Sequence, residues 1–525
     1  MTEVRTRREI ELDTLFAHAR RLPPDRAPSS RPWLALAVLC VSLLVVTLDS
    51  TVLNVALPTL VRDLGASSSD LQWIVDAYVI VFAGLLLVAG SLADRIGRKR
   101  TFLAGLIAFA AGSTWAAFSG SVGMLIASRA SMGIGAALIM PSTLAIITNV
   151  FTDARQRQRA FGLWGGTTGA GIALGPIVGG LLLAHFSWGS IFLINVPIAL
   201  IGVACAIPFV PDSKNPVAHR PDIVGSLLSI AGFGLLLWAI IEGPVHGWSS
   251  TLVLGTGSGA LVVLAGFVAW ESATSHPMLR LSFFRSRSFS TAVVSVALAT
   301  FGLFGALFVL TQFLQFDLGY TPLDAGLRVL PAAGAIVVVS PLSTLLIRGI
   351  GTKLTLTSGM LVIVGGLWWI SAATVGTTYM DTVGGMVMLG IGMALTMPSA
   401  TAAVMGSVPA EHTGVASATN GTFLQIGGAL GVAIIGSLLS TRYQDNVTSA
   451  LAPFHVPQAA SNAIVSSVGG ALEVAQRAGG AIGGMLAQIA RSAFVSGMDL
   501  GLRAGAIAVL AGAVLAFVAF PVRRR

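Results

Sequence analysis

Long apolar runs, most of them 20 residues or more, follow one another along almost the whole chain, divided by short polar breaks, and each reads as a membrane-crossing helix. Fourteen spans are expected, at roughly Leu34–Leu57, Leu71–Leu92, Thr101–Phe118, Val122–Val150, Ala160–Phe186, Ile191–Val210, Ile223–Ile241, Leu252–Trp270, Phe289–Leu314, Leu323–Ile347, Leu354–Ala373, Thr382–Val404, Val415–Leu439 and Leu502–Phe520. The predicted class is an all-α polytopic membrane protein. Residues 1–32 are polar and Arg-rich, and Leu12, Leu15, Phe16, Ala19 and Leu22 recur at helical spacing, so this N-terminal arm is either an amphipathic surface helix or a solvated basic segment. Residues 440–499 are expected to form one long outer loop carrying an amphipathic hairpin, because the apolar run from Ala478 to Ala490 is too short to span.

An internal repeat sets the domain plan. Met132-Gly-Ile-Gly-Ala-Ala-Leu-Ile-Met-Pro-Ser142 in the fourth span matches Leu389-Gly-Ile-Gly-Met-Ala-Leu-Thr-Met-Pro-Ser399 in the twelfth. The turn Arg95-Ile-Gly97-Arg98-Lys99 after the second span is echoed by Gly349-Ile-Gly351-Thr-Lys353 after the tenth. Both copies are displaced by eight spans, which predicts a six-helix half at 33–210, two extra helices within a linker at 211–288, and a second six-helix half at 289–525. Two halves repeated in one orientation suit a rocking transporter with substrate at their interface.

Composition sharpens this picture only in places. Charged residues make up 10% of the chain and the net charge is +9, but where the basic residues fall matters more than their sum. With the N-terminus inside, 24 of the 31 Lys and Arg lie in cytoplasmic segments, which places both termini in the cytoplasm and the chain in the plasma (inner) membrane. Cys40 and Cys205 sit inside apolar runs and read as small buried hydrophobes. The chain contains no Gly-Lys dipeptide, hence no phosphate-binding loop for an ATP-driven pump, and no H-E-x-x-H or paired-Cys motif. No cofactor, metal or nucleic acid is implied, and an enzyme is not expected.

Three ionisable groups interrupt the apolar runs: Asp49, Asp76 and Arg129, at depths of roughly 8–13 Å from the outer helix ends at 1.5 Å per residue. A charge at membrane depth costs about 2.5–3.5 kcal/mol on insertion scales, so such residues pair or carry function. One Arg cannot neutralise two carboxylates, so one Asp should be able to load a proton. A purely structural Asp49–Arg129 pair remains an alternative for those two residues. Asp76 lies in Gln72-Trp73-Ile-Val-Asp76-Ala-Tyr78, with Trp73 one turn away, and a carboxylate beside an indole suits a lipophilic cation. Asp324 and Arg328 are expected to pair. Glu242, Asp317 and Asp381 fall near outer helix ends, where a vestibule or simple solvation accounts for them, and Glu271 falls at an inner end. In the turn around Gly90, Asp94, Arg95, Gly97 and Arg98, Gly97 permits the reversal, Gly90 a close helix approach, and Asp94 a contact with a helix end or Arg98.

That turn resembles the signature loop of the major facilitator superfamily. Leu48-Asp49-Ser-Thr-Val-Leu-Asn54-Val-Ala-Leu-Pro58 resembles the first-span motif of its fourteen-span drug:proton antiporters. Ser128-Arg129-Ala-Ser-Met-Gly133-Ile-Gly135 is similar to the fourth-span arginine motif, and Gly171-Ile-Ala-Leu-Gly175-Pro176-Ile-Val-Gly179-Gly180 to the fifth-span antiporter motif. Ile191-Phe-Leu-Ile-Asn195-Val-Pro197 also fits that branch, whereas Trp188-Gly189-Ser190 departs from its usual Trp-Arg-Trp. In span 5, Gly171, Gly175 and Gly179 make a smooth groove and Pro176 bends the helix; the resemblance implies that this face seals against the other half. Trp-Ile-Val-Asp-x-Tyr resembles exporters of quaternary ammonium compounds, which implies Asp76, Trp73, Tyr78 and Asn54 at the substrate, with Asp49, Arg129 and Asp76 in proton coupling. The expected protein is a monomeric proton-coupled exporter of drug-like cations. A dedicated exporter of a metabolite, lipid or neutral antibiotic is the alternative, and a non-transporting scaffold a remote one.

Overall fold

The structure, a computed structural model, describes residues 31–521 apart from 215–220, 276 and 410–412. The basic arm therefore lies outside the described residues. Helices run in the order α1 (Pro32–Leu64), α2 (Ser68–Ile96), α3 (Arg98–Ala117), α4 (Val122–Val150), α5 (Ala154–His185) and α6 (Ser190–Phe209). They continue as α7 (Ile223–His246), α8 (Thr251–Ala273), α9 (Arg287–Asp317), α10 (Pro322–Ile350), α11 (Thr352–Ser371), α12 (Tyr379–Met405) and α13 (Thr413–Leu451). Two short helices, α14 (Gln458–Ser466) and α15 (Val468–Ala478), precede α16 (Gly480–Ala519). No strand occurs among the described residues.

Thirteen of these helices are long and apolar enough to cross a membrane. The expected third span is present as α3, but it opens on Arg98, Lys99 and Arg100 and is not among the thirteen. Large apolar side chains such as Ile107, Val262 and Val338 are exposed, as befits a surface that faces lipid. Local chemistry places the helix ends: Gly65 adopts the left-handed conformation that closes α1, and Ser67 and Asp70 form a reciprocal cap on α2.

Residues 440–499 depart from expectation. They form the end of α13, the short helices α14 and α15, and the first turns of α16. The run at 478–490 is not a separate hairpin. At 1.5 Å per residue the 39-residue α13 and 40-residue α16 are each nearly 60 Å long, against a hydrocarbon core of about 30 Å, so both project beyond it. A short apolar run gains its length from the polar-studded helix on which it is continuous.

The eight-span repeat reappears as packing. A Cβ on Gly133 of α4 would meet the Tyr78 carbonyl oxygen of α2 at 2.6 Å, and one on Gly135 would meet Phe109 N of α3 at 2.6 Å. In the second half, a Cβ on Gly390 of α12 would meet the Ala332 oxygen of α10 at 2.1 Å and one on Gly392 would meet the Gly359 oxygen of α11 at 2.6 Å. The halves touch along two seams that exchange under the same offset, α2 with α13 and α5 with α10. At the α2–α13 seam, Ser437 Oγ donates to Gln72 Oε1 at 3.2 Å, and farther along Leu86 meets Gly421. At the α5–α10 seam, Gly180 abuts Leu323 and Gly326 abuts the Pro176 carbonyl. That seam is closed at the end bearing Gly65; toward the end bearing Gly97, a Cβ added to Gly162, Gly165, Gly166 or Gly169 of α5 or to Gly334 of α10 would meet nothing within 4 Å.

The extra hairpin, α7 and α8, straddles the α2–α13 seam. Ser226 Oγ donates to the Gly84 carbonyl at 2.5 Å, Leu237 and Ile241 cluster with Ile80, Ala429 and Ala433, and Trp248 Nε1 donates to Thr441 Oγ1 at 3.2 Å. Overpacking a helix contact costs about 1–3 kcal/mol. Gly133→Val and Gly390→Val are each expected to lower the thermal midpoint by several degrees in detergent, whereas Gly334→Val, in open space, should leave it unchanged.

Candidate functional site

The N-terminal half is built around a buried ion pair. Arg129 of α4 is 1% exposed and Asp49 of α1 is 2% exposed, with Nη1 to Oδ2 at 2.5 Å. Arg129 Nε donates to the Ile74 carbonyl of α2 at 3.1 Å, and its guanidinium lies 4.5 Å from the centre of the Tyr78 ring. Asn195 of α6 donates to the other Asp49 oxygen at 3.1 Å and to Ser113 Oγ of α3 at 3.1 Å, while Ser113 donates to the Phe192 carbonyl at 2.8 Å. Five helices thus converge on one charge pair. The sequence motif contained Asn195 but suggested no role for it; an amide inside an otherwise apolar run was the available signal.

Asp76 is separate from this cluster. It is fully buried, and neither carboxyl oxygen has a hydrogen-bond partner among the described residues. Its helical stripe locates it. Gln72, one turn before, packs on Gly436 and Ser437 of α13, and Ile80, one turn after, packs with Leu237 and Ile241 of α7 and Ala429 and Ala433 of α13. Asp76 therefore lies at the seam between the halves. Arg129 pairs with Asp49, and the second acid of the expected triad has no ion-pair partner among the described residues.

The other three expected substrate residues, Trp73, Asn54 and Tyr78, each have protein partners of their own. The Trp73 indole is tied to α7, its Nε1 donating to Glu242 Oε1 at 3.0 Å, so the Trp73–Asp76 pair read from spacing becomes a Trp73–Glu242 hydrogen bond. Glu242 is correspondingly no simple vestibule acid; its other oxygen is 3.5 Å from His246 Nδ1. Asn54 is buried and donates to the Ser50 carbonyl of its own helix at 3.4 Å. Tyr78 belongs to the Arg129 cluster.

The motif glycines of α5 also differ from expectation. A Cβ on Gly171 would stand 2.0 Å from Thr47 Oγ1, and one on Gly175 would stand 1.9 Å from Thr51 Oγ1, while Gly179 lies against Val52. Their groove thus receives α1 within the same half, and the adjacent face, Pro176 and Gly180, meets α10. Small residues on two faces serve two neighbours, which spacing alone cannot apportion.

In the basic turn, Arg98 pairs with Asp94 at 2.9 Å and donates to the Ala145 carbonyl of α4 at 3.3 Å. The Arg98 amide donates to the Ser213 carbonyl at 2.9 Å, and Lys99 Nζ to the Ile207 carbonyl at 2.6 Å, latching the turn onto the end of α6. Gly97 has φ +128°, a glycine conformation, whereas Gly90 has only an ordinary contact, Pro141 Cβ at 3.7 Å, and no close helix approach. Arg95 is exposed. Asp324 and Arg328 pair as expected at 3.2 Å, and Asp381 caps α12 through Thr378.

Two symmetric bundles with buried charges at and beside their interface define a polytopic transporter fold. Residues 39–432 match the model of the Major Facilitator Superfamily, and the chain belongs to that family of transporters; it is not an enzyme. It is 35% identical over 506 residues to the multidrug efflux pump LfrA of Mycolicibacterium smegmatis, covering 95% of this chain and 98% of that one. It is 34% identical over 500 residues to the tetracenomycin C resistance and export protein of Streptomyces glaucescens, covering 94% and 93%. It is also 34% identical over 470 residues to the methyl viologen resistance protein SmvA of Salmonella typhimurium, covering 89% and 93%. In fold it is similar to a bacterial homologue of the human lysosomal transporter Spinster in an inward-facing, unoccupied conformation, with TM-score 0.64 at 15% identity, covering 94% and 97%.

Removing one partner of a buried pair costs about 3–5 kcal/mol, while replacing both by apolar groups is often neutral. Arg129→Met is thus expected to destabilise the protein strongly, and Asp49→Leu combined with Arg129→Met to recover most of that loss in thermal unfolding.

Proposed function

We propose that this protein is a proton-coupled exporter of lipophilic, mainly cationic compounds, working by alternating access across the plasma membrane. The observation that carries the reading is Asp76, a carboxyl group buried at the seam between the halves whose oxygens have no hydrogen-bond partner among the described residues. An ionised carboxylate is costly in that setting unless a proton or a cation compensates it. Proton and drug can therefore compete for one acid, which is the minimal requirement of antiport. Asp49 is already compensated by Arg129, so in this reading the pair sets the shape of the half and responds to the charge state of Asp76 through α2, on which Arg129 and Asp76 both depend.

The seams support the alternating-access part. They are related by the internal repeat, and α5–α10 is closed at one end and open at the other. With the basic end in the cytoplasm, as the Lys and Arg distribution favours, this is an inward-open arrangement. In the same reading α3 completes a count of fourteen spans, both termini are cytoplasmic, and the protein works as a monomer. If two protons enter for each monovalent cation exported, one net charge moves inward, worth about 2.3 kcal/mol per 100 mV. A second reading, a dedicated exporter of one antibiotic, is favoured by the name of the tetracenomycin C relative; failure of ethidium to compete for transport would support it.

The test is drug-dependent proton movement in proteoliposomes after a pH jump. Wild-type protein is expected to accumulate ethidium against its gradient and to lose this on addition of an uncoupler with no ATP present. Asp76→Asn is expected to reduce coupled transport by more than about tenfold, since such a change removes the titrating group itself. Transport that survives the uncoupler, or an unaffected Asp76→Asn, overturns the reading.

A further inference from the structure

A groove of about 740 Å³ lies on the second half, lined only by α11, the connection after it and the start of α12. No helix of either seam borders it. Leu361, Gly365, Trp368 and Ala372, three or four residues apart, form one stripe of α11 along it, and the hollow exists because Gly365 and Ala372 are small on either side of Trp368. The stripe is roughly 16 Å long at 1.5 Å per residue, half of a hydrocarbon core of about 30 Å. Leu361, Trp368 and Trp369 are each about half exposed, so the groove opens sideways to lipid. With both termini cytoplasmic it starts at the outer surface and descends through one leaflet. Both indoles are held. Trp369 Nε1 donates to the Asp381 carbonyl at 2.6 Å, and the Arg503 guanidinium of α16, paired with Asp499 at 2.5 Å, lies 5.6 Å from the centre of the Trp368 ring.

The polar groups of the groove are confined to its outer rim, at Thr377, Asp381 and Thr382. Thr382 Oγ1 is spent on the Tyr379 carbonyl at 2.9 Å. Asp381 is exposed, and its Oδ2 accepts from the amide and hydroxyl of Thr378 at 2.8 and 2.7 Å, which holds the carboxylate at the rim. No lysine or arginine is among the described residues that line the groove. The geometry points to a phospholipid site: one acyl chain of an outer-leaflet phosphatidylethanolamine lies along the Leu361–Ala372 stripe, with its ammonium on the Asp381 carboxylate. An anionic headgroup would meet an acid there and no cation. A primary ammonium brings three N–H donors to a carboxylate, whereas a trimethylammonium brings none. Trp368 stands at headgroup level, where tryptophans gather, and its indole N–H can donate to a phosphate or ester oxygen. Lipid covers every exposed face of a membrane protein, but a preformed hollow with a single acid at the headgroup end favours one headgroup over the others. The site goes beyond the transport reading and does not depend on which substrate is carried.

The experiment titrates the full-length protein in detergent with phosphatidylethanolamine, phosphatidylcholine and phosphatidylglycerol of identical chains and counts retained lipid by native mass spectrometry. Wild-type protein is expected to retain one phosphatidylethanolamine about tenfold more tightly than either other lipid, the preference that one charge-assisted hydrogen bond supplies. Asp381→Asn, which keeps an oxygen to cap α12, is expected to abolish that preference while the chain still binds. Ala372→Trp and Leu361→Trp, at exposed positions near the two ends of the stripe, are both expected to release the lipid whatever its headgroup, and either one that folds decides the point. Equal retention of the three lipids by wild-type protein, or retention of none, overturns the site. So does a preference that survives Asp381→Asn, or a lipid that neither tryptophan releases. Displacement of the lipid by tetraphenylphosphonium would make the groove a drug site, and a dimer that forms only without lipid would make it an interface; each overturns the proposal.

Discussion

The ion pair between Arg129 and Asp49 is the contact on which the N-terminal half depends. An arginine cannot shed its proton, so at this depth it must be paired, and every donor it leaves free would be costly. The structure answers with Asp49, the Ile74 carbonyl and the face of Tyr78, and holds Asp49 in turn through Asn195 and Ser113. Helices α1, α2, α3, α4 and α6 are therefore indexed to one point. Packing of small residues then brings α5 against α1 at Thr47 and Thr51. Helices in lipid gain little from hydrophobic burial against each other, so close small-residue contacts and a few polar pins determine register.

The second half repeats the packing without the charges. Gly390 and Gly392 meet α10 and α11 as Gly133 and Gly135 meet α2 and α3, yet Met386 occupies the place equivalent to Arg129 and is buried among hydrophobes. A shared framework with chemistry on one side only is a reasonable division for a rocking machine. Both halves need matching surfaces at the two seams, whereas a single buried titrating centre suffices for coupling. The basic turn fits the same logic: Arg98 and Lys99 fasten α2 and α3 to α4 and to the end of α6, so the half moves as a body.

The extra hairpin is more than a spacer between halves. It lies over the seam where α2 and α13 meet, and binds both through Ser226, Leu237, Glu242 and Trp248. Any motion that opens this seam must change those contacts. Trp73 and Glu242 sit where such a change would be felt first, because they join α2 to α7 next to the unpaired Asp76.

The sequence by itself determined the helical class, nearly all the spans, the eight-span repeat, the pairing of Asp324 with Arg328, and the presence of too many acids for one arginine, and it left Asp94 between a helix end and Arg98. These are properties of residue type and of spacing within one helix, where geometry is fixed at 3.6 residues per turn. Tertiary structure alone decided which acid Arg129 takes, that Trp73 turns to Glu242 instead of Asp76, that the α5 glycines receive α1 while Pro176 and Gly180 meet the other half, and that residues 440–499 are absorbed into helices. Each of these depends on which helix stands beside which face. A helix offers several faces to several neighbours, and no pattern within its own sequence says which neighbour arrives, so the partners of a buried charge become readable only once the bundle is assembled.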